Sequence, residues 1–370
     1  MVKNVATPPP KRTNQLHPEF MNSLCIIGIA GYSGSGKTTL IRKILPELKK
    51  QGLFVGVLKH IHHKLNIDIR GKDTDHFYRA GADFVFAHDS RQGFARYRSD
   101  NDKFSGLIKR FPAALDLIIV EGHKDIGLPG IQLEAKAAGE RTGSKIHSSK
   151  TVIFSDDPDY QQQVLTYILQ QLDRHHSMRP VNAGLLIGGK STRMGTPKSL
   201  LKIKGRTLAA RSFDTLSAVT GNVVLLGSGE LPKSLLSADR LPDTPYLKGP
   251  LSGILSAFRW SPESAWIISS VDMPLMHKEA WGWLLSQRKP GTWAVLPKIK
   301  GSKGVETTGA VYEPMIFEHI ESLAGNGNTK LQDIAAHPKV ITPIIPNPLA
   351  EAWKNVNTPG EWTKVKSHLQ

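Results

Sequence analysis

Two α/β domains in tandem, a P-loop NTPase fold followed by a Rossmann-like nucleotidyltransferase fold, are predicted from three observations. Apolar runs of strand length alternate with helical patterns along the whole chain. The alternation breaks at one polar stretch, Asp173-Arg174-His175-His176-Ser177-Met178-Arg179-Pro180, which ends in a proline. Each side of that break opens with a glycine-rich loop directly behind its first apolar run. A length of 370 residues is long for one domain and suits two, each able to bury its own core.

Taken in order, Leu24–Ala30 reads as a buried strand and Lys37 to Lys50 as the helix behind the first loop. Leu53–Lys59, Leu115–Val120 and Thr151–Phe154 are further strands, and Asp159–Arg174 a closing helix. The series restarts with Asn182–Ile187 and the second loop, then continues through Asn222–Leu226, Ala265–Val271 and Thr292–Leu296. Both sheets are expected to be largely parallel. These patterns divide the chain into a tail over 1–21, a first domain over 22–175, a linker over 176–181 and a second domain over 182–370. The two loops share no register, so no internal duplication is visible.

Composition narrows the class. Hydrophobic content of 39% and charged content of 22% are those of a soluble globular protein. No apolar run approaches the roughly 20 residues that span a bilayer, so no membrane partner is expected. The first twenty residues contain Pro8-Pro9-Pro10-Lys11-Arg12 and no apolar core, which predicts a disordered tail and not a signal peptide. Cys25 is the single cysteine, excludes an intrachain disulfide framework and reads as a small core residue. Together these features favour the cytoplasm. The net charge of +16 raises nucleic acid as a partner, but phosphate-rich small molecules profit equally from a positive field. The chain shows no recognisable helix-turn-helix, RNA-recognition or zinc-finger pattern, and nucleic acid is not expected.

The first loop, Gly31-Tyr32-Ser33-Gly34-Ser35-Gly36-Lys37-Thr38, meets the Walker A pattern at every fixed position. Its glycines let backbone N–H groups converge on phosphate oxygens at a helix N-terminus. Lys37 would reach the β- and γ-phosphates and the Thr38 hydroxyl a Mg²⁺ ion. Gly31, Gly34, Ser35, Gly36, Lys37, Thr38 and Thr39 are therefore candidate nucleotide-binding residues. The metal also needs a carboxylate at the end of a neighbouring strand, and Glu121 supplies it; Asp116, at the other end of the same run, reads as a strand-start residue. His60, His62 and His63 are either a metal site or a polar loop near the nucleotide.

The second loop runs Gly188-Gly189-Lys190-Ser191-Thr192-Arg193-Met194-Gly195-Thr196-Pro197-Lys198. Adjacent glycines allow the backbone to approach a base and triphosphate, and Arg193 and Lys198 offer charge to the phosphates that leave as pyrophosphate. Asp272, delivered at the end of an apolar strand in Val271-Asp272-Met273-Pro274, is the carboxylate expected to hold Mg²⁺ near the α-phosphate. Asp243 lies at the mouth of another strand–helix junction, ahead of Gly249-Pro250-Leu251-Ser252-Gly253-Ile254, and is either a nucleotide contact or a loop aspartate. Asn355 and Asn357, in Asn355-Val356-Asn357-Thr358-Pro359, put two amides on one face of an extended segment, able to bind a metal-bound phosphate or a carboxylate, or else form a helix cap.

Two resemblances follow from these motifs. The order Gly31–Thr38, Lys59-His60-Ile61-His62-His63, Gly71-Lys72-Asp73, Arg79-Ala80-Gly81-Ala82 and Val120-Glu121-Gly122 resembles the adaptor protein of molybdopterin-guanine dinucleotide biosynthesis. That resemblance covers residues 22 to 175. It implies a GTP-binding domain with weak GTPase activity that forms a homodimer; His123 stands where the family has phenylalanine, and there is no Asn-Lys-x-Asp guanine-reading motif. The basic loop, Gly249–Ile254, Asp272-Met273-Pro274 and Asn355–Pro359 resemble the molybdenum cofactor guanylyltransferase over residues 181 to 370. This second resemblance implies that Leu186, Ile187 and Gly188 cradle the guanine side through the backbone, with Gly189 next to them. It assigns Lys198 to the phosphates, Asp243 to the nucleotide region, Asp272 to Mg²⁺, and Asn355 and Asn357 to the vicinity of metal and pterin phosphate. Leu226-Gly227-Ser228-Gly229 departs from the family's asparagine-rich stretch, Ile187 from its alanine and Val271 from its cysteine.

The function expected is a fusion that transfers GMP from Mg²⁺-GTP to molybdenum-bound molybdopterin, with the N-terminal domain binding GTP and assisting. A molybdenum-insertion protein and apo-molybdoenzymes would be its partners. The rival readings are a molybdopterin cytidylyltransferase and a GTP-dependent scaffold that delivers finished cofactor.

Overall fold

The computed structural model describes residues 24–61, 68–98, 104–122, 126–135, 149–188, 195–245, 247 and 249–369. The tail expected over 1–21 lies outside the described residues. The chain divides into two compact units. One comprises Met1–Leu45, Val55–Pro112 and Leu117–Val164, the other Pro46–Phe54, Ala113–Asp116 and Leu165–Gln370.

In chain order the first part forms β1 (Cys25–Gly31), α1 (Lys37–Lys50), β2 (Val55–Lys59), α2 (Asp73–Arg79), β3 (Phe84–His88), β4 (Gly93–Tyr97), α3 (Phe104–Ile108), β5 (Leu117–Glu121), β6 (Gly130–Glu134), β7 (Lys150–Phe154) and α4 (Tyr160–Met178). Five strands build one sheet in the order β2-β5-β1-β6-β7, with every pair parallel. A parallel sheet is covered on both faces, so its strands read as unbroken apolar runs. All seven residues of β1 and all five of β5 are buried accordingly. The glycine loop thus leaves the central strand, and Glu121 ends the strand beside it.

Strands β3 and β4 form a separate antiparallel hairpin that the sequence reading did not contain. An ion-pair cluster ties it to α2: Arg96 reaches Asp68 at 2.7 Å and Asp75 at 3.0 Å, and Arg79 reaches Asp75 at 2.8 Å. The Gly71 N–H and the Arg96 guanidinium hold the Asp75 carboxyl well below the usual carboxylate range.

The later part forms β8 (Val181–Leu186), β9 (Lys202–Ile203), β10 (Arg206–Thr207), α5 (Leu208–Ser217), β11 (Asn222–Leu226), β12 (Arg240–Leu241), α6 (Pro250–Trp260), β13 (Ala265–Ser270), α7 (Lys278–Ser286), β14 (Ala294–Val295), β15 (Ala310–Tyr312), α8 (Phe317–Gly325), β16 (Val340–Ile341) and α9 (Pro359–Leu369). The main sheet runs β12-β11-β8-β13-β15-β14-β16. Its first four strands are parallel, as expected, whereas β15 is antiparallel to both neighbours. From β8 the chain builds outward to β11 and β12, then returns to place β13 on the other side of β8. The crevice between the C-terminal ends of β8 and β13 is therefore a topological switch point, where α/β sheets bind ligands. Helix α6 can lie close to the sheet because Gly253 is a glycine: a Cβ there would stand 2.7 Å from Leu186 Cδ2.

The segment 176–181, read from the sequence as a linker, is largely regular structure. Helix α4 continues to Met178 and β8 starts at Val181, leaving only Arg179 and Pro180 between them. Burial explains the difference. His176 and Arg179 are polar in type yet buried against Glu313, which itself is 1% exposed. Arg179 Nη1 donates to Glu313 Oε2 at 2.9 Å and Arg288 Nε to Oε1 at 2.6 Å, with His176 Nε2 3.4 Å away. Burial alone would raise the Glu313 carboxyl, but the neighbouring His176 imidazole and the Arg288 and Arg179 charges more than offset it and hold it below its ordinary range.

Removing one partner of such a buried pair leaves charge uncompensated and costs about 3–5 kcal/mol. Glu313→Gln should lower unfolding free energy by that order in urea denaturation at neutral pH. Because the folded-state pKa is depressed, the contribution is complete above the unfolded value, about 4.3, and is lost as pH falls through the folded value. The gap between wild type and variant should therefore narrow only below that pH.

Two candidate nucleotide sites

The first loop takes its shape from its glycines. Gly34 and Gly36 adopt φ of 80° and 83°, in the left-handed region that side chains disfavour. Gly31 closes β1 where a Cβ would stand 2.5 Å from Leu133 O. Helix α1 begins at Lys37, so the loop's N–H groups lie at a helix N-terminus. Lys37 Nζ turns back on the loop and donates to Gly31 O at 3.1 Å, to Tyr32 O and to Ser35 Oγ at 3.3 Å. Thr38 and Thr39 are exposed in the first turn. Glu121 is nearly buried at the end of β5, and Thr38 Oγ1 donates to its Oε1 at 2.9 Å. Asp116 instead accepts the Phe54 N–H at 2.8 Å, as a strand-start residue should. The His60 N–H is bound to Glu121 O at 3.0 Å, while His62 and His63 lie outside the described residues. Among the described residues no group of three or more His, Cys, Asp or Glu side chains is arranged to hold a metal.

The second site occupies the switch point. A cavity of about 550 Å³ lies there, within the usual size of a small-molecule site, and Gly188, Lys198, Ser228, Gly229 and Asp272 are on its walls. Lys198 starts a single 3₁₀ turn, Lys198–Leu200, anchored by buried Ser199. Its Nζ stands 3.2 Å from Asp272 Oδ2 and donates to Asn357 Oδ1 at 2.7 Å. Asp272 lies two residues past the end of β13, and its carbonyl accepts the Val356 N–H at 2.8 Å, which fixes the asparagine segment beside it. Val356 is buried whereas Asn355 and Asn357 are exposed, so both amides lie on the outer side of that extended stretch. The cap reading of this segment also holds. Glu361 Oε2 accepts N–H bonds from Asn357 at 2.7 Å and Thr358 at 3.0 Å, and the Glu361 N–H returns to Thr358 Oγ1 at 3.3 Å. This is a capping box at the start of α9, and its two backbone hydrogen bonds hold the Glu361 carboxyl below its ordinary range.

Other expected residues are placed differently. Ile187 lines the cavity, but Leu186 does not; its side chain is buried toward Gly253 and its carbonyl accepts the Val271 N–H. Exposed Asp243 is outside the lining, with both carboxylate oxygens 3.6 Å from where a Gly227 Cβ would be. Gly189 and Arg193 lie outside the described residues.

Three contributors were not read from the sequence. Gly229 lets the loop after β11 touch the chain leaving β8: a Cβ there would fall 1.8 Å from Ile187 O. Arg240 holds that same loop, donating to Gly227 O at 2.8 Å and Gly229 O at 2.9 Å. Glu306 is half-buried near Asp272; burial first, and then the Asp272 charge, push its carboxyl up. The Gly-x-Gly spacing at 227–229 was the only local signal among these.

An oxygen donor set of one carboxylate, one neutral oxygen (amide or hydroxyl) and phosphate suits Mg²⁺, which takes few protein ligands and completes its shell with water and phosphate. Asp272 with Asn357, and Thr38 with Glu121, both fit that description.

Residues 26–155 match the family described as molybdopterin guanine dinucleotide synthesis protein B. The molybdopterin-guanine dinucleotide biosynthesis adapter protein of Escherichia coli is 32% identical over 136 residues, 36% of this chain and 78% of the relative. The chain belongs to that family. Its Haemophilus influenzae member, also described as an adapter protein, is 39% identical over 117 residues, 31% of this chain and 66% of the relative. Residues 183–340 match the MobA-like NTP transferase domain. A Deinococcus radiodurans protein named "Probable molybdenum cofactor guanylyltransferase" is 27% identical over 188 residues, 51% of this chain and 95% of the relative. This synthesis protein B relative thus carries a transferase domain on the same polypeptide and is an enzyme. No helix among its described residues is long and apolar enough to cross a membrane.

The close approach at Gly229 makes a direct test of the second site's architecture. Gly229→Ala should lower unfolding free energy by about 1–3 kcal/mol, the scale of an overpacked contact, in a chemical denaturation series. An unchanged midpoint would mean that the two loops are not in contact.

Proposed function

We propose that the C-terminal half transfers GMP from GTP to molybdopterin, releasing pyrophosphate, and that the N-terminal half binds GTP, hydrolyses it weakly and assists. The observation that carries this reading is the convergence of Lys198 and Asp272, 3.2 Å apart on one cavity. The names of the relatives support guanine and molybdopterin as the substrates.

The terminal phosphate of molybdopterin is already an anionic nucleophile, so the site has to align and neutralise rather than remove a proton. Gly188 and the Gly227–Gly229 loop admit the nucleotide without side chains in the way. Lys198 is placed to exchange its Asp272 contact for phosphate oxygens as the triphosphate enters, gathering negative charge that grows on the leaving pyrophosphate. Asp272 and Asn357, with Asn355 beside them, would hold Mg²⁺, which supplies Lewis-acid charge at the α-phosphate. Holding nucleophile and phosphorus in line is worth about 7–11 kcal/mol where alignment is complete. In the N-terminal half, Gly31 to Thr39 would bind the nucleotide phosphates, with Thr38 and Glu121 as the metal ligands. Molybdenum-insertion and apo-molybdoenzyme partners would deliver the substrate and receive the product.

Pyrophosphate release with molybdopterin should be supported by GTP and not by CTP or ATP; preference for CTP would make the chain a cytidylyltransferase, and retained cofactor without pyrophosphate a delivery scaffold. Asp272→Ala should lose transfer by at least about a hundredfold with unchanged circular dichroism, whereas Lys37→Ala should leave purified transfer nearly untouched. Normal turnover in the Asp272 variant would remove the metal assignment. Phe84 and Phe86, 58% and 59% exposed on β3, give the hairpin an apolar face suited to a homodimer contact. Sedimentation should show two chains for the wild type and one for Phe84→Ser/Phe86→Ser; an unchanged mass would place the contact elsewhere or nowhere.

A further inference from the structure

One cation in the first half has no part in the scheme above. Lys59 is the last residue of β2, and the parallel register sets it opposite Glu121, the last residue of β5. Its Nζ is 3.3 Å from Glu121 Oε1 and donates to Thr38 Oγ1 at 3.2 Å. The Thr38 hydroxyl in turn donates a hydrogen bond to Glu121 Oε1 at 2.9 Å. Ammonium, hydroxyl and carboxylate therefore close a triangle, and the two oxygens are those that would bind Mg²⁺. The Walker lysine is not a member of it, because Lys37 is turned onto Gly31 O and Ser35 Oγ.

The environments of the three groups are unequal. The Glu121 side chain is 12% exposed and the Lys59 side chain 48%. A nearly buried carboxylate needs a counter-charge at all times, whereas a half-exposed lysine can swing its head into water and keep its stem packed. We propose that Lys59 is a stand-in cation: its ammonium holds the place between Thr38 and Glu121 that Mg²⁺ takes in the metal–nucleotide complex. The domain then binds nucleotide without metal at little penalty and exchanges ammonium for Mg²⁺ without exposing the carboxylate to phosphate. The inference rests on the proposed nucleotide binding by this loop.

The experiment uses the full-length chain and a fluorescent GDP analogue titrated in excess Mg²⁺ and in EDTA. Signal lost in Lys37→Ala defines binding at the first loop. The measured quantity is the dissociation constant in EDTA divided by that in Mg²⁺. For Lys59→Met and Lys59→Gln this ratio should exceed the wild-type ratio by about tenfold, the scale of one charge-assisted hydrogen bond at a partly exposed site. A ratio within twofold of wild type in both variants overturns the proposal. So does a loss of affinity equal in both conditions, which would make Lys59 a phosphate ligand. If Lys37→Ala removes no signal because the wild-type loop binds nothing, the nucleotide-binding reading itself fails, and that outcome is distinct from the other two.

Discussion

A carboxylate and a polyphosphate repel one another in any pocket they share, and a cation between them is the condition that the proposed nucleotide sites of both halves would have to meet. Each half delivers one carboxylate to the C-terminal end of a parallel strand beside a glycine loop: Glu121 as the last residue of β5 and Asp272 two residues past β13. Each also meets that carboxylate with a lysine and a neutral oxygen. Lys59 joins Glu121 to Thr38, and Lys198 joins Asp272 to Asn357. The two arrangements arise on different sheets around loops of different register, and what they share is the electrostatic requirement.

The folds meet that requirement because parallel strands end together. In the first sheet the register alone brings Lys59 and Glu121 opposite each other, and the helix start at Lys37 presents Thr38 to the same point. In the second sheet the strand order reverses around β8, which opens a crevice between Ile187-Gly188 and Val271-Asp272. Glycine supplies what the strands cannot. Left-handed Gly34 and Gly36 shape one loop, and the lack of a Cβ at Gly229 lets two loops touch in the other.

Legibility in the sequence followed chain distance. A strand, a loop and a helix start that are contiguous carry their meaning locally, so Gly31–Thr38, Lys198 and Asp272 could be named before any fold was known. Glu121 followed from the rule that a phosphate loop needs a carboxylate on an adjacent strand. Roles for Lys59, Arg240 and Glu306 could not be assigned, since each depends on which neighbour the fold brings against it: Glu121 and Thr38 for Lys59, the Gly227–Gly229 carbonyls for Arg240, and Asp272 for Glu306. The hairpin and β6 escaped for a related reason: Gly130-Ile131-Gln132-Leu133-Glu134 mixes polar and apolar residues, yet Gln132 is buried. The polar stretch before β8 misleads in the opposite direction. His176 and Arg179 look like solvated polar residues until Glu313, more than a hundred positions away, is brought against them.

The two sites differ in what holds them together. Glu121 and Lys59 belong to neighbouring strands of one sheet, so their separation is set by the same hydrogen bonds that make the fold. Asp272 and Lys198 are completed by Asn357, 159 residues beyond the lysine, through a segment pinned by the Val356 N–H and by the capping box of α9. Most of that pinning is exposed, and exposed hydrogen bonds open more readily than a sheet core. The second site can therefore loosen its asparagine side while the carboxylate and lysine stay in place. That is the property the proposed transfer needs if a bulky acceptor must enter and a larger product leave.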